Sequence, residues 1–312
     1  MRIAMLGAGA MGGMFGARFA RAGAEVMLYD RDEAHVAAIA ADGLHVELLD
    51  ADPVVLRLPA VADAEAIGTV DLAVVLVDCA ATREAALVAK QVIGTGGFAL
   101  TLQNGIGNVE ALVDVLGAAR VVGGSTMNSA ARTGPGHVAH THLGKTVLGE
   151  LDGRTSARLD RLAVLFQKAG LPAGATDNII GHIWQKFILN AALNPVCAIT
   201  RLRPGEVAES PAASALVRDI LGEVLAVVAA EGIDLPEPNP TDSILGHAVG
   251  RMNKPSMLQH VEQGRRTEIA ALNGALLPIA LRHGIPCPTN RTIVQLVEAI
   301  QGRPERAGEH AT

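Results

Sequence analysis

The amino-acid sequence predicts an α/β fold, with an N-terminal, doubly wound parallel sheet followed by an all-helical C-terminal domain. Short apolar runs alternate with helical segments up to about residue 177. Such alternation is typical of a parallel sheet that is buried on both faces. Strand signals then vanish and long helical stretches take over. Because 312 residues are more than a single hydrophobic core usually accommodates, we expect two domains. We place them at 1–177 and 178–301, with a polar tail at 302–312.

The first thirty residues carry the most specific pattern. A strand, a helix and a second strand are predicted at 2–6, 13–23 and 25–29. The motif Gly-x-Gly-x-x-Gly, formed by Gly7, Gly9 and Gly12, separates the first strand from the helix, and Asp30 follows the second strand. Asp30 lies 18 residues after Gly12, close to the spacing of about 20 known for the ribose-binding acid of dinucleotide-binding proteins.

Each part of this motif suits the binding of a dinucleotide in a Rossmann-type domain. Gly7 permits the tight turn, Gly9 lets a pyrophosphate approach the backbone, and Gly12 lets the helix lie close to the strand. The helix N-terminus, with Ala10 and Met11, offers backbone N–H groups and a partial positive charge to the phosphates. A glycine-rich turn that binds nothing would explain Gly7 but not the whole set.

Asp30 and Arg31 favour different cofactors. A carboxylate at the strand end accepts hydrogen bonds from ribose hydroxyls and repels a 2′-phosphate, whereas a guanidinium could bind that phosphate. Arg31 could equally be a solvated surface charge. We therefore expect NAD(P)H as the cofactor, with NADH favoured over NADPH.

The remaining elements of the first domain follow in order. Helices are predicted at 32–42, 82–91, 109–116 and 155–169, and strands at 54–58, 72–77, 98–102, 121–124 and 171–176, with one or two antiparallel strands at 137–150. Asp78 and Asn104 come at the ends of two buried strands, where ligands bind in such sheets. Asn104-Gly105 could also be a simple turn pair.

Three histidines near residue 140 raise the question of a metal site. On a strand, His140 and His142 share one face but His137 does not. No carboxylate or cysteine completes a familiar ligand pattern, so we expect surface or strand-edge histidines and no metal.

The predicted helices of the second domain are at 179–200, 206–231, 256–283 and 290–301, with a proline-rich connector at 236–240. The first of them is too apolar for a surface helix, yet Lys186, Asn190 and Asn194 recur at i, i+4 and i+8. That spacing puts them on one face, which either faces solvent or lines a polar cleft. In a cleft, desolvation lowers the pKa of a lysine toward working pH, which suits a proton donor.

Two further residues of the helical domain attract attention. Ser256 and Gln259 fit a capping box, so Ser256 is first an N-cap, although a helix N-terminus with a hydroxyl also attracts a carboxylate. Glu268, flanked by Arg265 and Arg266, could be an exposed ion pair on a charged helical turn.

Composition excludes several kinds of partner. The net charge of −6 argues against nucleic acid and anionic membranes. No apolar run approaches the roughly 18 residues of a membrane span, and the N-terminus does not fit a signal peptide. Cys79, Cys197 and Cys287 lack metal-ligand spacing. They suit a reduced cytoplasm, which we expect as the location.

Taken together, these residues resemble the ketopantoate reductase (2-dehydropantoate 2-reductase) family over the whole length of the chain. The family pattern of tryptophan, lysine, two asparagines and proline is met by Trp184, Lys186, Asn190, Asn194 and Pro195. Further family motifs are met by Asn104-Gly105, by the Gly-Pro-Gly-x-Val-x-His stretch at 134–140, and by Asn253, Ser256 and Glu268.

The resemblance implies a mechanism in which NAD(P)H delivers a hydride to the ketone of a 2-oxo acid, most simply 2-dehydropantoate. Lys186 would then donate the proton, and Asn104 would hold Lys186 or the nicotinamide end of the cofactor. The substrate would be bound by Asn190, Asn253 and Ser256, with Asn194 supporting the cleft. Glu268 would accept a hydrogen bond from the substrate hydroxyl. The helical second domain of the family often forms homodimers.

Two departures from the family pattern leave room for a paralogue. Asp78 stands where family members commonly carry a lysine, and Asp30 precedes the arginine that usually reads NADPH. An NAD-dependent 2- or 3-hydroxy-acid dehydrogenase of the 6-phosphogluconate dehydrogenase type shares this two-domain organisation and a catalytic lysine. Its lysine usually follows a glycine-rich helical segment. A third alternative is a dinucleotide-binding protein without catalysis.

Overall fold

The computed structural model describes residues 1–302 of the chain. In this part of the chain there are twelve β-strands: β1 (Arg2–Leu6), β2 (Glu25–Tyr29), β3 (Leu44–Glu47), β4 (Val54–Leu56), β5 (Ala60–Val61), β6 (Val70–Val75), β7 (Ile93–Thr101), β8 (Val121–Thr126), β9 (Ser129–Gly134), β10 (His137–His142), β11 (Thr146–Glu150) and β12 (Ala173–Ala175). The same residues form twelve α-helices: α1 (Ala10–Arg21), α2 (Glu33–Asp42), α3 (Thr82–Val92), α4 (Asn108–Leu116), α5 (Ala157–Lys168), α6 (Ile179–Thr200), α7 (Pro204–Glu209), α8 (Pro211–Ala230), α9 (Thr241–Ala248), α10 (Ser256–Glu262), α11 (Asn273–Arg282) and α12 (Pro288–Ile300).

The chain divides into two compact units. The first comprises Met1–Gln103 and Gly107–Ile180, and the second comprises Asn104–Ile106 together with the described residues from Gly181 onward. The domain limits that we place at 177 and 178 stay a prediction. The predicted polar tail lies, from residue 303 on, outside the described residues.

The first unit contains an eight-stranded sheet in the order β12-β11-β8-β7-β6-β1-β2-β5. Neighbouring strands are parallel except for the antiparallel pair of β8 and β11. Ile3 of β1 pairs with Val26 on one side and Leu72 on the other. Because the central strands have buried side chains on both faces, they need the continuous apolar runs seen in the sequence. The predicted α/β fold is confirmed.

A second sheet, with four strands in the order β4-β3-β10-β9, was not predicted. The one or two antiparallel strands predicted at 137–150 are two, β10 and β11; they belong to different sheets and pair antiparallel with β9 and β8. Helix α1 contacts β1 and β2 of the large sheet and β3, β9 and β10 of the small one. The helix is therefore buried almost all round, from Gly12 to Phe19.

Of the four helices predicted in the second unit, those at 179–200 and 290–301 occur as α6 and α12, and the other two are divided. The stretch at 206–231 is divided into α7 and α8 by Ser210, whose hydroxyl caps α8 ahead of Pro211. The predicted helix at 256–283 is wrong, because α10 ends at Glu262 and α11 begins only at Asn273. Gly264, with φ +65°, turns the chain between them. Among the described helices, none is long and apolar enough to cross a membrane.

Candidate active site

The glycine turn between β1 and α1 is built so that only glycine fits at two of its positions. Gly7 has φ +94°, and a Cβ there would lie 2.7 Å from the Leu76 carbonyl oxygen. A Cβ on Gly12 would lie 1.8 Å from the carbonyl oxygen of Gly7. The close approach of helix and turn thus excludes any side chain at either residue.

Gly9 is a glycine for a different reason. It is the N-cap of α1, and a Cβ on it would meet no atom within 4 Å. The space above the turn is therefore open, and the half-buried Ala10 and Met11 form the first turn of the helix beneath it. The first N–H groups of a helix lack intrahelical partners. An open cradle with such donors fits the pyrophosphate of a dinucleotide.

The end of β2 presents one acid and one base. Asp30 is half-buried, and its carboxylate accepts a hydrogen bond from the backbone N–H of Asp32 at 3.0 Å. Arg31 is exposed and forms an ion pair with Glu84 of α3. The guanidinium of Arg31 therefore already has an anionic partner on its own unit, which sequence analysis did not identify. Asp78 is exposed just after β6.

A second residue that sequence analysis missed is His35, which is fully buried in α2. Its Nδ1 accepts a hydrogen bond from the Gly136 N–H at 3.0 Å, so the proton must lie on Nε2. Nε2 then donates to the Ala8 carbonyl, 2.9 Å away, within the glycine turn. His35 thus links the glycine turn to the backbone at Gly136. Only its position three residues after the capping Asp32 marks it in the sequence.

The three histidines near residue 140 have separate environments. His140 is buried, and its Nδ1 lies 3.1 Å from the Arg18 guanidinium. Burial and this positive charge hold the pKa of His140 below its usual range. His137 stacks on His45 with ring centroids 4.3 Å apart, and His142 is exposed. Within residues 1–302 no three or more His, Cys, Asp or Glu side chains are arranged to hold a metal ion.

Lys186 is a strongly perturbed basic group of the second unit. It lies half-buried on α6, two residues after the buried Trp184. Burial lowers the pKa of Lys186 from 10.5 to about 8, while the carboxylate of Glu268 acts in the opposite direction. A lysine with this pKa is mostly protonated at neutral pH and releases its proton readily.

Glu268 lies in a turn between α10 and α11, not on a helix as predicted, and is half-buried. Its two carboxylate oxygens lie 3.3 and 3.5 Å from Nδ2 of Asn104. The neighbouring Gly105, with φ +83°, packs so tightly that a Cβ would lie 2.5 Å from the Ala271 carbonyl oxygen. Asn104 and Glu268 are therefore neighbours in one unit, although they are 164 residues apart. The carboxylate of Glu268 also acts on the pKa of Lys186, so three predicted site residues interact.

The other predicted site residues divide into two groups. Asn190 is half-buried and Asn194 buried, as expected of a polar face on an apolar helix. Asn253 and Ser256 are both exposed. The predicted capping box at Ser256 is wrong, because the N-cap of α10 is Pro255. Gln259 instead donates to the Lys254 carbonyl oxygen, 2.7 Å from its Nε2.

Comparison with known proteins gives matches along nearly the whole chain. A family model described as ketopantoate reductase PanE/ApbA matches residues 3–153, and its C-terminal counterpart matches residues 178–301. The 2-dehydropantoate 2-reductase of Archaeoglobus fulgidus is 33% identical over 301 residues, which are 96% of this chain and 98% of the relative.

Solved structures agree with these matches. A PanE/ApbA family ketopantoate reductase from Ralstonia eutropha JMP134 is similar with a TM-score of 0.85 and 34% identity, over 96% of this chain and 98% of that one. A D-mandelate dehydrogenase, solved with NADH and anilino(oxo)acetate, has a TM-score of 0.86 and 29% identity over the same shares of the two chains.

The family models together cover well over half of the chain, and the open glycine cradle described above fits the cofactor that such enzymes use. The chain therefore belongs to the ketopantoate reductase family and is an NAD(P)-dependent oxidoreductase that acts on CH–OH donors.

Proposed function

We propose that this protein reduces the ketone of 2-dehydropantoate to give pantoate, a step of pantothenate biosynthesis, with Lys186 as the proton donor. The observation that carries the proposal is the half-buried, low-pKa ammonium of Lys186, whose pKa is raised by the carboxylate of Glu268, the hydrogen-bond partner of Asn104. A desolvated acid with a pKa of about 8 suits proton transfer to a carbonyl oxygen near neutral pH.

The proposed reaction uses each of these groups in a defined way. Bound NAD(P)H supplies the hydride that the ketone carbon accepts. The Lys186 ammonium hydrogen-bonds the carbonyl oxygen, stabilises its growing negative charge and gives it a proton, so that the 2-oxo acid becomes a 2-hydroxy acid. Asn104 holds the carboxylate of Glu268 in place, and that negative charge keeps Lys186 protonated.

The carboxylate of Glu268 also favours a hydroxylated substrate. A half-buried carboxylate gains when it accepts a hydrogen bond from a substrate hydroxyl, and it loses when an apolar group faces it. We assign the substrate carboxylate and carbonyl to Asn190, Asn253 and Ser256, with Asn194 as support. Of these, Asn253 and Ser256 are exposed.

NADH is the proposed preferred cofactor. Asp30 offers its carboxylate to the ribose hydroxyls, and the ion pair with Glu84 engages the guanidinium that would bind a 2′-phosphate. The D-mandelate dehydrogenase to which the chain is similar was solved with NADH. The proposal further includes a homodimer, as the family resemblance implies, and a cytoplasmic location, which the three cysteines of the chain suit.

That similarity also supports a second candidate function. Anilino(oxo)acetate is an N-aryl oxamate that resembles an aryl 2-oxo acid but has an amide in place of the ketone. An NADH-dependent reductase of an aryl 2-oxo acid is therefore the alternative. The alternative leaves Glu268 without a substrate hydroxyl to bind, which is why we rank it second.

The decisive experiment measures kcat/KM for 2-dehydropantoate and for phenylglyoxylate, each with NADH and with NADPH. We expect 2-dehydropantoate to be preferred by about tenfold or more, and NADH to be preferred over NADPH. The reverse order of substrates would establish the alternative. No turnover with either, when NADH binding has been demonstrated, would refute the proposed substrate class.

A matched substrate tests the role of Glu268. Trimethylpyruvate has the carbon skeleton of 2-dehydropantoate but lacks its hydroxyl group. Glu268→Gln should reduce kcat/KM for 2-dehydropantoate about tenfold more than for trimethylpyruvate, because only 2-dehydropantoate has a hydroxyl group that hydrogen-bonds the carboxylate of Glu268. Equal losses for both substrates would remove Glu268 from hydroxyl recognition.

A further inference from the structure

Helix α6, which carries Lys186, Asn190 and Asn194, contains a proline in its interior at Pro195. Proline has no backbone N–H, so it cannot donate to the carbonyl four residues earlier. That carbonyl belongs to Ala191, which is fully buried. The hydrogen-bond ladder of the helix is thus interrupted between Asn190 and Asn194. A buried carbonyl without a donor costs free energy, so a replacement is needed.

The replacement comes from α11. Nδ2 of Asn273, the first residue of that helix, lies 2.9 Å from the Ala191 carbonyl oxygen. Asn273 is 0% exposed. Its oxygen Oδ1 has no hydrogen-bond partner among the described residues, so the side-chain hydrogen bonds of this amide are those that Nδ2 donates. The second of them goes to Oδ1 of Asn290, 2.9 Å away.

The orientation of Asn273 is fixed from the other end of this hydrogen-bond chain. Nδ2 of Asn290 donates to the Glu223 carboxylate at 2.7 Å and to the Ile220 carbonyl at 3.3 Å. Both of these oxygens can only accept, so Oδ1 of Asn290 must face Asn273. Asn273 must in turn present its amino group to Oδ1 of Asn290 and to Ala191. A reversed Asn273 amide would place its oxygen against two acceptors.

The Glu223 carboxylate is held firmly at the far end. It also accepts the backbone N–H groups of Thr289 and Asn290 at 2.8 Å each. Burial opposes its ionisation, but these donors outweigh that effect and hold the pKa of Glu223 below its usual range. The anchored carboxylate thereby orders both asparagines.

From this arrangement we propose that Asn273 is a positioning residue of the enzyme, which replaces the donor that Pro195 removes and thereby fixes α6 where its own ladder is interrupted. A proline in a helix promotes a kink when the freed carbonyl turns away. Without Asn273, the segment with Lys186 and Asn190 can pivot against the segment with Asn194. This inference rests on the proposed function, in which these three side chains act on one substrate.

The test is a double-mutant cycle with Asn273→Leu and Pro195→Ala. The Pro195→Ala substitution restores a backbone N–H that can donate to the Ala191 carbonyl, so it makes the bond from Asn273 dispensable. In the wild-type background Asn273→Leu should lower kcat for 2-dehydropantoate about tenfold or more, because small misplacements of catalytic groups are costly. In the Pro195→Ala background the same substitution should lower kcat less than about threefold.

Two further readouts separate positioning from mere stability. Asn273→Leu lowers the Tm in both backgrounds, because Asn290 loses its partner in both, whereas only kcat is rescued by Pro195→Ala. NADH affinity should stay within about twofold throughout. Thr200→Val is the matched control, since it removes a side-chain bond to the Val196 carbonyl from the same helix beyond Pro195, and it should leave kcat unchanged. A loss of kcat by Asn273→Leu that is equal in both backgrounds would overturn the proposal.

Two contingencies keep the test decisive. If Asn273→Leu does not fold, Asn273→Ala, which is smaller and also lacks a donor to the Ala191 carbonyl, is measured in both backgrounds, and the same rescue by Pro195→Ala is expected. If the wild-type protein turns over no 2-oxo acid, the proposed function fails, and hydrogen–deuterium exchange of residues 184–200 takes the place of kcat. Asn273→Leu should then speed exchange, and Pro195→Ala should reverse that effect. Unchanged exchange would refute the positioning role.

Discussion

If the Lys186 ammonium is the proton donor, kcat for reduction falls as the pH rises through about 8, the value to which burial lowers its pKa from 10.5. One unit below this pKa about ten of eleven molecules are protonated, and one unit above it about one of eleven, so kcat should drop roughly tenfold between pH 7 and pH 9. The reverse oxidation needs the neutral amine, so its kcat should rise over the same interval.

Glu268→Gln provides the perturbation. The carboxylate of Glu268 raises the pKa of Lys186, so its removal should move the basic limb of the profile to lower pH. The assay is the kcat for NADH oxidation at saturating 2-dehydropantoate from pH 6.5 to 10, because Glu268→Gln also raises KM.

Two variants of Lys186 serve as controls. Lys186→Arg retains the positive charge, but its kcat should not fall between pH 7 and 9, since a guanidinium does not titrate in this range. Lys186→Ala should lose about two or more orders of magnitude in kcat, with NADH binding nearly intact. A wild-type profile that is flat from pH 7 to 9 would refute the reasoning, as would a Glu268→Gln limb that moves to higher pH.

Three further predictions follow from the same contacts. Gly9→Ala should leave the Tm unchanged and weaken NADH binding about tenfold, because its Cβ enters the open space above the turn. Gly12→Ala should instead cost about 1–3 kcal/mol of stability, because its Cβ would lie 1.8 Å from the Gly7 carbonyl oxygen. Thermal melts measure the stability, and fluorescence titrations measure NADH binding. Glu84→Gln should strengthen NADPH binding but not NADH binding, since it frees the guanidinium of Arg31. Asp30→Ala should weaken NADH binding more than NADPH binding. For each variant, an equal effect on both cofactors would contradict the prediction. Lys186→Met should raise the free energy of unfolding at pH 7 by about 1–3 kcal/mol, because a half-buried ammonium with a depressed pKa destabilises the fold below pH 8. This difference should vanish above pH 10.5, where the lysine is neutral in both states, and denaturant titrations at pH 7 and above pH 10.5 measure it.

The sequence was sufficient for the parts of the fold that rest on local patterns. The strands at 2–6 and 25–29 occur as predicted, because continuous apolar runs and the glycine turn determine them locally. The small sheet was missed for the opposite reason. Its strand β9 (Ser129–Gly134) has mostly small side chains, none of them buried and without alternation, and it pairs with β10. Such long-range pairing is not written in the residues of the strand itself.

The helix predicted at 256–283 shows a different limit. Apolar residues continue with helical spacing through this stretch, but Gly264 adopts a left-handed conformation and the chain turns at Glu268. Local helix propensity alone predicts one continuous helix here. Tertiary contacts break it, since the turn packs against Gly105. The break matters for the site, because it presents Glu268 to Asn104.

The candidate site itself was only partly accessible from sequence. The polar face of α6 follows from the spacing of Lys186 and the two asparagines, and the structure keeps them partly or fully buried. The depressed pKa of Lys186, the pairing of Asn104 with Glu268 and the Asn273 bond to Ala191 depend on contacts between distant residues. Spacing along one chain segment carries no information on such contacts.

The central claim is that Lys186 protonates the ketone of a 2-oxo acid while a bound nicotinamide cofactor reduces it. The most direct test is the rate of NADH oxidation with 2-dehydropantoate at pH 7, for the wild-type protein and for Lys186→Ala at matched occupancy by NADH. We predict rapid oxidation by the wild type and a rate about two or more orders of magnitude lower for the variant. Equal rates for the two proteins would contradict the account.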